Sequence, residues 1–519
     1  MDVEAPRYSI PDKHWDYATR KSDLEHFFSS FRKNIIGLHQ FYDTPFGEKR
    51  VLYADWTASG RCYQPIEDCL QKEMMPFVGN THTSTTVTGT LMSAAYEKAK
   101  EIIKTHAGAN ADDVLIFCGS GMTAAVNKLQ RILGMRLPER AKDYMKNGDE
   151  SFLIDEALRP VVFVTHMEHH SNHISWLETI ATVEIIQPDE NGNVDLAHFE
   201  ALLEQFKHRK NKIAAVTACS NVTGIETPYN EIAKMIHQYG GLCFVDFACS
   251  APYVDMNMHP PAAGEHLDAL YFSVHKFLGG PGTPGVLIFN KKLYSNTIPD
   301  HPGGGTIVYS NPWKLHKYIT NIEQREDGGT PPFLQGIKAA MCIRLKEAMG
   351  VENMRRREEE MLPILFDRLS KMKNVQVLEG HIKKRLGVIS FIVDGAHHDL
   401  FVRMLNDRFG IQTRGGCSCA GTYGHKLLQV DEGRSHEILN SILSGDLLSK
   451  PGWIRLSIHP TMTNAELNFL MDAIELAVCR FEEWTEDYVY DQEANEYRFK
   501  GVEATGKERV EGWFNVGAL

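Results

Sequence analysis

The sequence predicts an α/β protein: a large, mainly parallel β-sheet covered by helices, followed by a smaller α+β domain toward the C-terminus. Three observations carry that expectation. Between about residues 110 and 295, short uninterrupted apolar runs alternate with amphipathic helical stretches, the pattern of strands buried on both faces. After about Pro331 the texture changes to long helical periodicity with a few alternating strands between. Two of the buried runs end on charged residues, Asp246 and Lys276, and ligands of such sheets gather beyond the carboxyl ends of the strands.

In chain order, residues 114–117 read as the first apolar strand and 123–133 as the helix after it. Strands follow at 160–164, 183–186 and 213–217, a helix at 229–239, and strands again at 242–246, 270–274 and 286–289. A long helical pattern then runs from 335 to 371, with Gly350 as a break. Strands at 375–378 and 388–393, a helix at 398–409 and a terminal helix at 464–484 complete the smaller domain. The aromatic stretches 488–490 and 497–499 suggest an added hairpin. The resulting division is 1–40, a segment packing on the small domain; 41–330, the large domain; 331–485, the small domain; and 486–519, a tail. There is no internal repeat and no low-complexity segment.

A chain of 519 residues can bury a large core. Its net charge of -12 argues against a nucleic-acid partner, and Arg355-Arg356-Arg357 is followed at once by Glu358-Glu359-Glu360, a solvated helix face. No apolar run is long enough to cross a bilayer, and the polar start Met1-Asp2-Val3-Glu4 is unlike a signal peptide. The ten cysteines are scattered, most in apolar settings such as Cys118, Cys219 and Cys243, which suits free thiols in a reducing cytoplasm.

The chemistry begins at Lys276. A lysine at the end of a core strand must be neutralised, paired or used covalently, because a lone buried ammonium is costly. A strand-end Asp and a strand-end Lys are what pyridoxal phosphate needs: the lysine forms the Schiff base, and the aspartate keeps the pyridinium nitrogen protonated. A buried Asp246–Lys276 ion pair is the plainer alternative. Gly119-Ser120-Gly121-Met122-Thr123 is a glycine-rich turn opening a helix, able to offer backbone N–H groups to a phosphate, with Ser273 and His275 as further donors. His166, His169 and His170 crowd after a strand; metal ligation is one reading, but no matching carboxylate or Cys set accompanies them, so no metal is expected. An imidazole lying flat on an aromatic cofactor suits the position better. Asn221 stands at another strand end, as a turn residue or as a donor toward a cofactor's phenolic oxygen.

Together these motifs resemble the fold-type I pyridoxal phosphate enzymes of aminotransferase class V, and within them the group II cysteine desulfurase / selenocysteine lyase family. The resemblance runs from about Tyr53 to Phe481 in unbroken order. Asn80-Thr81-His82 resembles the family's N-x-H, and 168–176 its E-H-H-x-N-x-x-x-W, which makes His169 the stacking histidine. Ser220-Asn221-Val222-Thr223-Gly224 resembles S-N-x-x-G, and Ser273-Val274-His275-Lys276 resembles S-x-H-K with Lys276 the Schiff-base lysine. Gly303-Gly304-Gly305 resembles the group II glycine triplet. Gly329-Thr330-Pro331 resembles the G-T-P whose Thr reaches the phosphate of a neighbouring subunit, implying a homodimer with shared active sites. Arg455 occupies the place of the substrate-carboxylate arginine, with Asn80, His82 and Arg414 also implied around the substrate. The implied fold is a large domain with a mainly parallel seven-stranded sheet and a smaller α+β domain.

Thr413-Arg414-Gly415-Gly416-Cys417-Ser418-Cys419-Ala420 resembles the family's R-x-G-x-x-C-A, which places Cys419 at the nucleophile. The implied activity takes sulfur (or selenium) from a cysteine-like amino acid as a persulfide on Cys419 and releases alanine, with Lys276 moving the α-proton and a protein as possible sulfur acceptor. Such a thiol must ionise, and Arg414 would help. The C-x-C read by itself leaves other roles open: ordinary loop cysteines, a metal site, or a regulatory disulfide. Three departures bear on the substrate. Cys249 stands where the family carries Gln, Cys417-Ser418 replaces the usual pair before the nucleophile, and 421–452 is longer than its counterpart, with a helix-like stretch at 435–448. The alternative activity is therefore a class V aminotransferase, epimerase or lyase acting on another amino acid. A third reading, a catalytically silent scaffold, predicts no cofactor absorbance.

Overall fold

In the computed structural model the described residues are 22–81, 83, 85–144, 156–500, 507–515 and 517. The large sheet has seven strands: β1 (Asp113–Cys118), β2 (Val161–Thr165), β3 (Thr182–Ile186), β4 (Lys212–Thr217), β5 (Leu242–Asp246), β6 (Ala269–Ser273) and β7 (Gly285–Asn290). They lie in the order β1-β7-β6-β5-β4-β2-β3. β7 is antiparallel to β1 and β6, because the turn after β6 is too short to carry a crossover; the other neighbours are parallel. The apolar runs β1, β2, β4 and β6 are buried at every position, as strands covered on both faces must be.

The small domain is built on four antiparallel strands, ordered Val375–Val377, Val388–Val393, Trp453–Ser457 and Arg414–Gly416. Helices Val351–Lys371, His398–Phe409 and Asn464–Cys479 belong with it. The long helical pattern breaks where expected: Gly350, at φ 73°, separates Phe333–Met349 from Val351–Lys371. The terminal helix is shorter than 464–484. It stops at Cys479 and resumes as Phe481–Thr485, with non-helical Arg480 between.

The helix expected at 435–448 instead spans Glu432–Leu443. The Asp431 side chain accepts the Arg434 amide at its start, and Gly445 at φ 92° follows its end. Tyr488–Asp491 and Glu496–Phe499 pair as the anticipated hairpin. A second hairpin, Ile307–Ser310 with His316–Tyr318, and the helix Val87–His106 were not anticipated.

The helix Asp23–Arg32 is held against the small domain by Arg32 on Glu466 (2.6 Å) and by the buried Arg357, which reaches Glu25, Glu360 and Asn464. Leu52–Tyr53 forms a short parallel pair with Ile411–Gln412. That pairing carries residues 54–60 between the two sheets. Gly60 is obligatory there: a Cβ would lie 1.9 Å from the Phe277 carbonyl oxygen, beside the turn that bears Lys276. No helix among the described residues is long and apolar enough to cross a membrane, and all ten cysteines are free.

Candidate active site

β4, β5 and β6 end side by side, and their carboxyl ends open into a cavity of about 640 Å³. Its lining brings together Gly121, Met122, Thr123, His169, Asn221, Asp246, Cys249, Ser273, His275 and Lys276 from the large domain, and Arg414, Cys419 and Arg455 from the small one. Asn80 and Thr330 lie outside it and are exposed. His82 falls outside the described residues.

At one wall, Gly121 leads into the helix Met122–Ile132 and, being glycine, offers no side chain of its own to cap it. The Met122 amide donates to the Ser273 hydroxyl (2.8 Å), and the Thr123 and Ser171 hydroxyls share a hydrogen bond of 2.7 Å. A Cβ on Gly121 would approach the Ser273 Oγ to 3.0 Å and His275 to 3.7 Å, so this turn, Ser273 and His275 form one cradle. Hydroxyls and helix-terminal amides are the donor set that an anionic phosphate takes.

At the floor, Asp246 is buried and accepts the Ala248 amide (2.8 Å). Burial pushes its pKa up to about 6, against the pull of that amide and of Lys276. Burial lowers Lys276, partly offset by Cys249 and Asp246, and Arg455 and Arg414 add to the lowering. His169 accepts the Ser171 amide on Nδ1 (3.1 Å), which leaves the ring proton on Nε2. Burial, with Lys276, His170 and Arg455, brings it down to about 3, so it is a neutral ring.

Behind it, Glu168 accepts from the Thr165 hydroxyl (2.6 Å), the Thr217 amide (2.8 Å) and Asn172 (2.8 Å), which fixes the loop that carries His169. Cys249 lies against Cys219, and both sulfurs are within 3.7 Å of the Ser220 carbonyl oxygen. Burial raises Cys219, whereas the Cys219 contact and then Lys276 hold Cys249 below the ordinary thiol range.

Asn221 is differently engaged from the sequence expectation. Its amide nitrogen donates to the Ser418 carbonyl (2.7 Å), tying the large domain to the thiol loop, while its Oδ1 is buried without a partner. That loop is further pinned by the His170 amide on the Cys419 carbonyl (2.8 Å), by the Gly421 amide on His170 Nε2 (2.8 Å) and by Trp453 Nε1 on Ser418 Oγ (3.2 Å). Of the two loop thiols, Cys419 is exposed and lines the cavity, whereas Cys417 packs against the core.

Arg455 is buried, donates to the Asn221 carbonyl (3.2 Å) and Asp55 (2.7 Å), and keeps its Nε without a partner. Asp55 was not singled out from the sequence. Neither were Thr57 and Ala58, which line the cavity. The only local hint was a lone aspartate in the apolar stretch Leu52-Tyr53-Ala54-Asp55-Trp56.

A family model, Aminotransferase class-V, matches residues 52–470. A probable cysteine desulfurase from Halalkalibacterium halodurans is 29% identical over 379 residues, covering 71% of this chain and 84% of that protein. Another from Staphylococcus aureus (strain N315) is 27% identical over 401 residues, covering 76% and 89%. Among solved structures, a cysteine desulfurase from Thermococcus onnurineus superimposes with a TM-score of 0.68 at 23% identity, covering 89% of this chain and 99% of that one. A cysteine desulfurase from Escherichia coli gives 0.64 at 19%, covering 87% and 98%. These two share the fold. With a family match over most of its length and the seven-stranded architecture to go with it, the chain belongs to the aminotransferase class-V family.

Proposed function

We propose that the protein is a pyridoxal-phosphate-dependent cysteine desulfurase that removes sulfur from L-cysteine and leaves alanine. The observation that carries this reading is the position of Cys419: an exposed thiol on an anchored loop, lining the same cavity as Lys276, Asp246 and Arg455. The curated relatives point the same way by name.

The residues present fit pyridoxal phosphate. Thr123, Ser273 and His275 would hold its phosphate on the helix terminus, Asp246 its pyridinium nitrogen, His169 its ring face and Lys276 its aldehyde carbon. Bound there, the cofactor supplies an electrophilic carbon and an electron-withdrawing ring.

The protein does the rest. Arg455 receives the substrate carboxylate with its free Nε. Lys276, its pKa lowered by burial, has an amine able to take the α-proton and return it. Cys419 Sγ, as thiolate, attacks the substrate sulfur; an S–S bond forms, the carbon–sulfur bond breaks with its electron pair remaining on carbon, and that carbon is protonated. The products are a persulfide on Cys419 and alanine. The cavity face at Cys419 is where a sulfur acceptor would reach it, and a homodimer would bring Thr330 of each chain toward its neighbour's phosphate.

The alternative, another class V reaction on a different amino acid, is favoured by one observation: the wall near Lys276 carries a thiol, Cys249. One variant separates the readings and a second serves as its control, with sulfide and alanine assayed together. Lys276→Ala abolishes turnover under both. Cys419→Ala stops sulfide release only if Cys419 takes the sulfur, so release at the wild-type rate would sink the assignment. The holoenzyme should also show a visible band near ~420 nm that shifts with L-cysteine; a band that ignores cysteine sends the substrate search elsewhere.

A further inference from the structure

Arg414 and Arg455 face each other directly across the antiparallel pair that joins Arg414–Gly416 to Trp453–Ser457. Two guanidinium groups in that register repel unless a negative group lies between them. Asp55 does so. Its Oδ1 accepts Arg455 Nη2 at 2.7 Å and its Oδ2 accepts Arg414 Nε at 3.0 Å, so each oxygen holds one arginine.

Asp55 is itself fixed by its neighbours. It bridges Ser457, the Ser457 amide donates to the Ala54 carbonyl (2.7 Å), and the Thr57 amide donates to Ser457 Oγ (2.9 Å). The three charged groups sum to one positive charge. That charge is presented to the cavity by Arg455, whose buried Nε has no partner.

We propose that Asp55 is a positioning residue that sets the charge class of the substrate: one carboxylate and a neutral side chain. Asp55 lies behind the lining formed by Arg414 and Arg455, and by holding both guanidiniums on one carboxylate it leaves net charge to match a single substrate carboxylate and none for a second. Acidic amino acids are thereby excluded. This rests on the reading of the cavity as an amino-acid site built on pyridoxal phosphate.

The test is a visible-absorbance titration of the holoenzyme with L-alanine and L-aspartate, which needs no sulfur chemistry. The wild type should bind L-alanine more tightly than L-aspartate. Asp55→Asn should move the ratio of the two apparent Kd values toward L-aspartate by about tenfold or more, while Asp55→Glu keeps the wild-type ratio. A purely structural role would weaken both ligands in parallel, and that result, or an unchanged ratio, overturns the proposal.

Should Asp55→Asn not yield folded holoenzyme, Arg414→Gln decides instead. It removes the balancing charge and should weaken L-aspartate more than L-alanine; equal weakening overturns the proposal. Discrimination without sulfide release would remove the desulfurase reading and leave this inference standing. Sulfide release with an unmoved ratio would do the reverse.

Discussion

Ser418 and Cys419 are both held at positive φ, 51° and 56°, without being glycine. Each such residue costs roughly 1–2 kcal/mol, so two in succession persist only because neighbours over-determine them. The neighbour with most leverage is Asn221, whose amide holds the Ser418 carbonyl from the large domain. Asn221→Ala should therefore release the loop. We expect Cys419 to alkylate several-fold faster with iodoacetamide and sulfide release to fall by roughly tenfold in kcat, with KM for L-cysteine little changed. Unchanged alkylation and turnover would mean that the other anchors suffice. Asp246 was readable from sequence because it ends a continuous apolar run, and Lys276 because it follows another so closely, although the strand stops at Ser273 and the lysine stands on the turn after it. Asp55 was not. Its role exists only because positions 359 and 400 residues away come onto its two oxygens, and no local pattern records such a meeting.

The helices show the same division between local and long-range information. Gly350 announced its own break, and the repeat of apolar positions around it marked both helices. The helix Val87–His106 was overlooked, although its Thr86 cap on the Gly89 amide is a local signal. What no sequence pattern shows is how it meets Phe333–Met349. There Lys346, buried, donates to His106 Nε2 (3.0 Å) and to the Val254 carbonyl. Burial brings its pKa down to about 7 from a free value of roughly 10.4. Between those values the unfolded chain binds more protons than the folded one, so this residue makes stability rise with pH across the window. The wild type should accordingly gain a few degrees in Tm between pH 7 and pH 9 relative to Lys346→Met, both measured in the same buffers. Parallel Tm–pH curves for the two proteins would show that Lys346 remains fully charged in the fold.

At the scale of the whole molecule, one apolar surface among the described residues lies beside the glycine triplet. The hairpin Ile307–Ser310/His316–Tyr318 exposes Val308 (65%), Trp313 (81%) and Leu315 (61%), and neither strand has a buried residue. An isolated two-stranded hairpin of this kind is marginal in water, and apolar side chains this exposed mark an interaction surface. It adjoins the glycine triplet: the Gly329 amide donates to the Gly304 carbonyl (2.9 Å), which ties the residue before Thr330 to the base of the hairpin. Thr330 lies outside its own chain's cavity, which agrees with service to a neighbour. If a second copy covers this hairpin, the wild type should elute and scatter light as twice the chain mass of 58.6 kDa. The double variant Val308→Glu/Trp313→Glu should then run as a single chain with its helical circular dichroism intact, and it should lose affinity for pyridoxal phosphate, because each cavity loses its neighbour's threonine. A wild type that is monomeric and retains the cofactor would refute the shared site. A dimeric double variant would place the contact elsewhere on the surface, and Thr330 would then have to reach its target by another route.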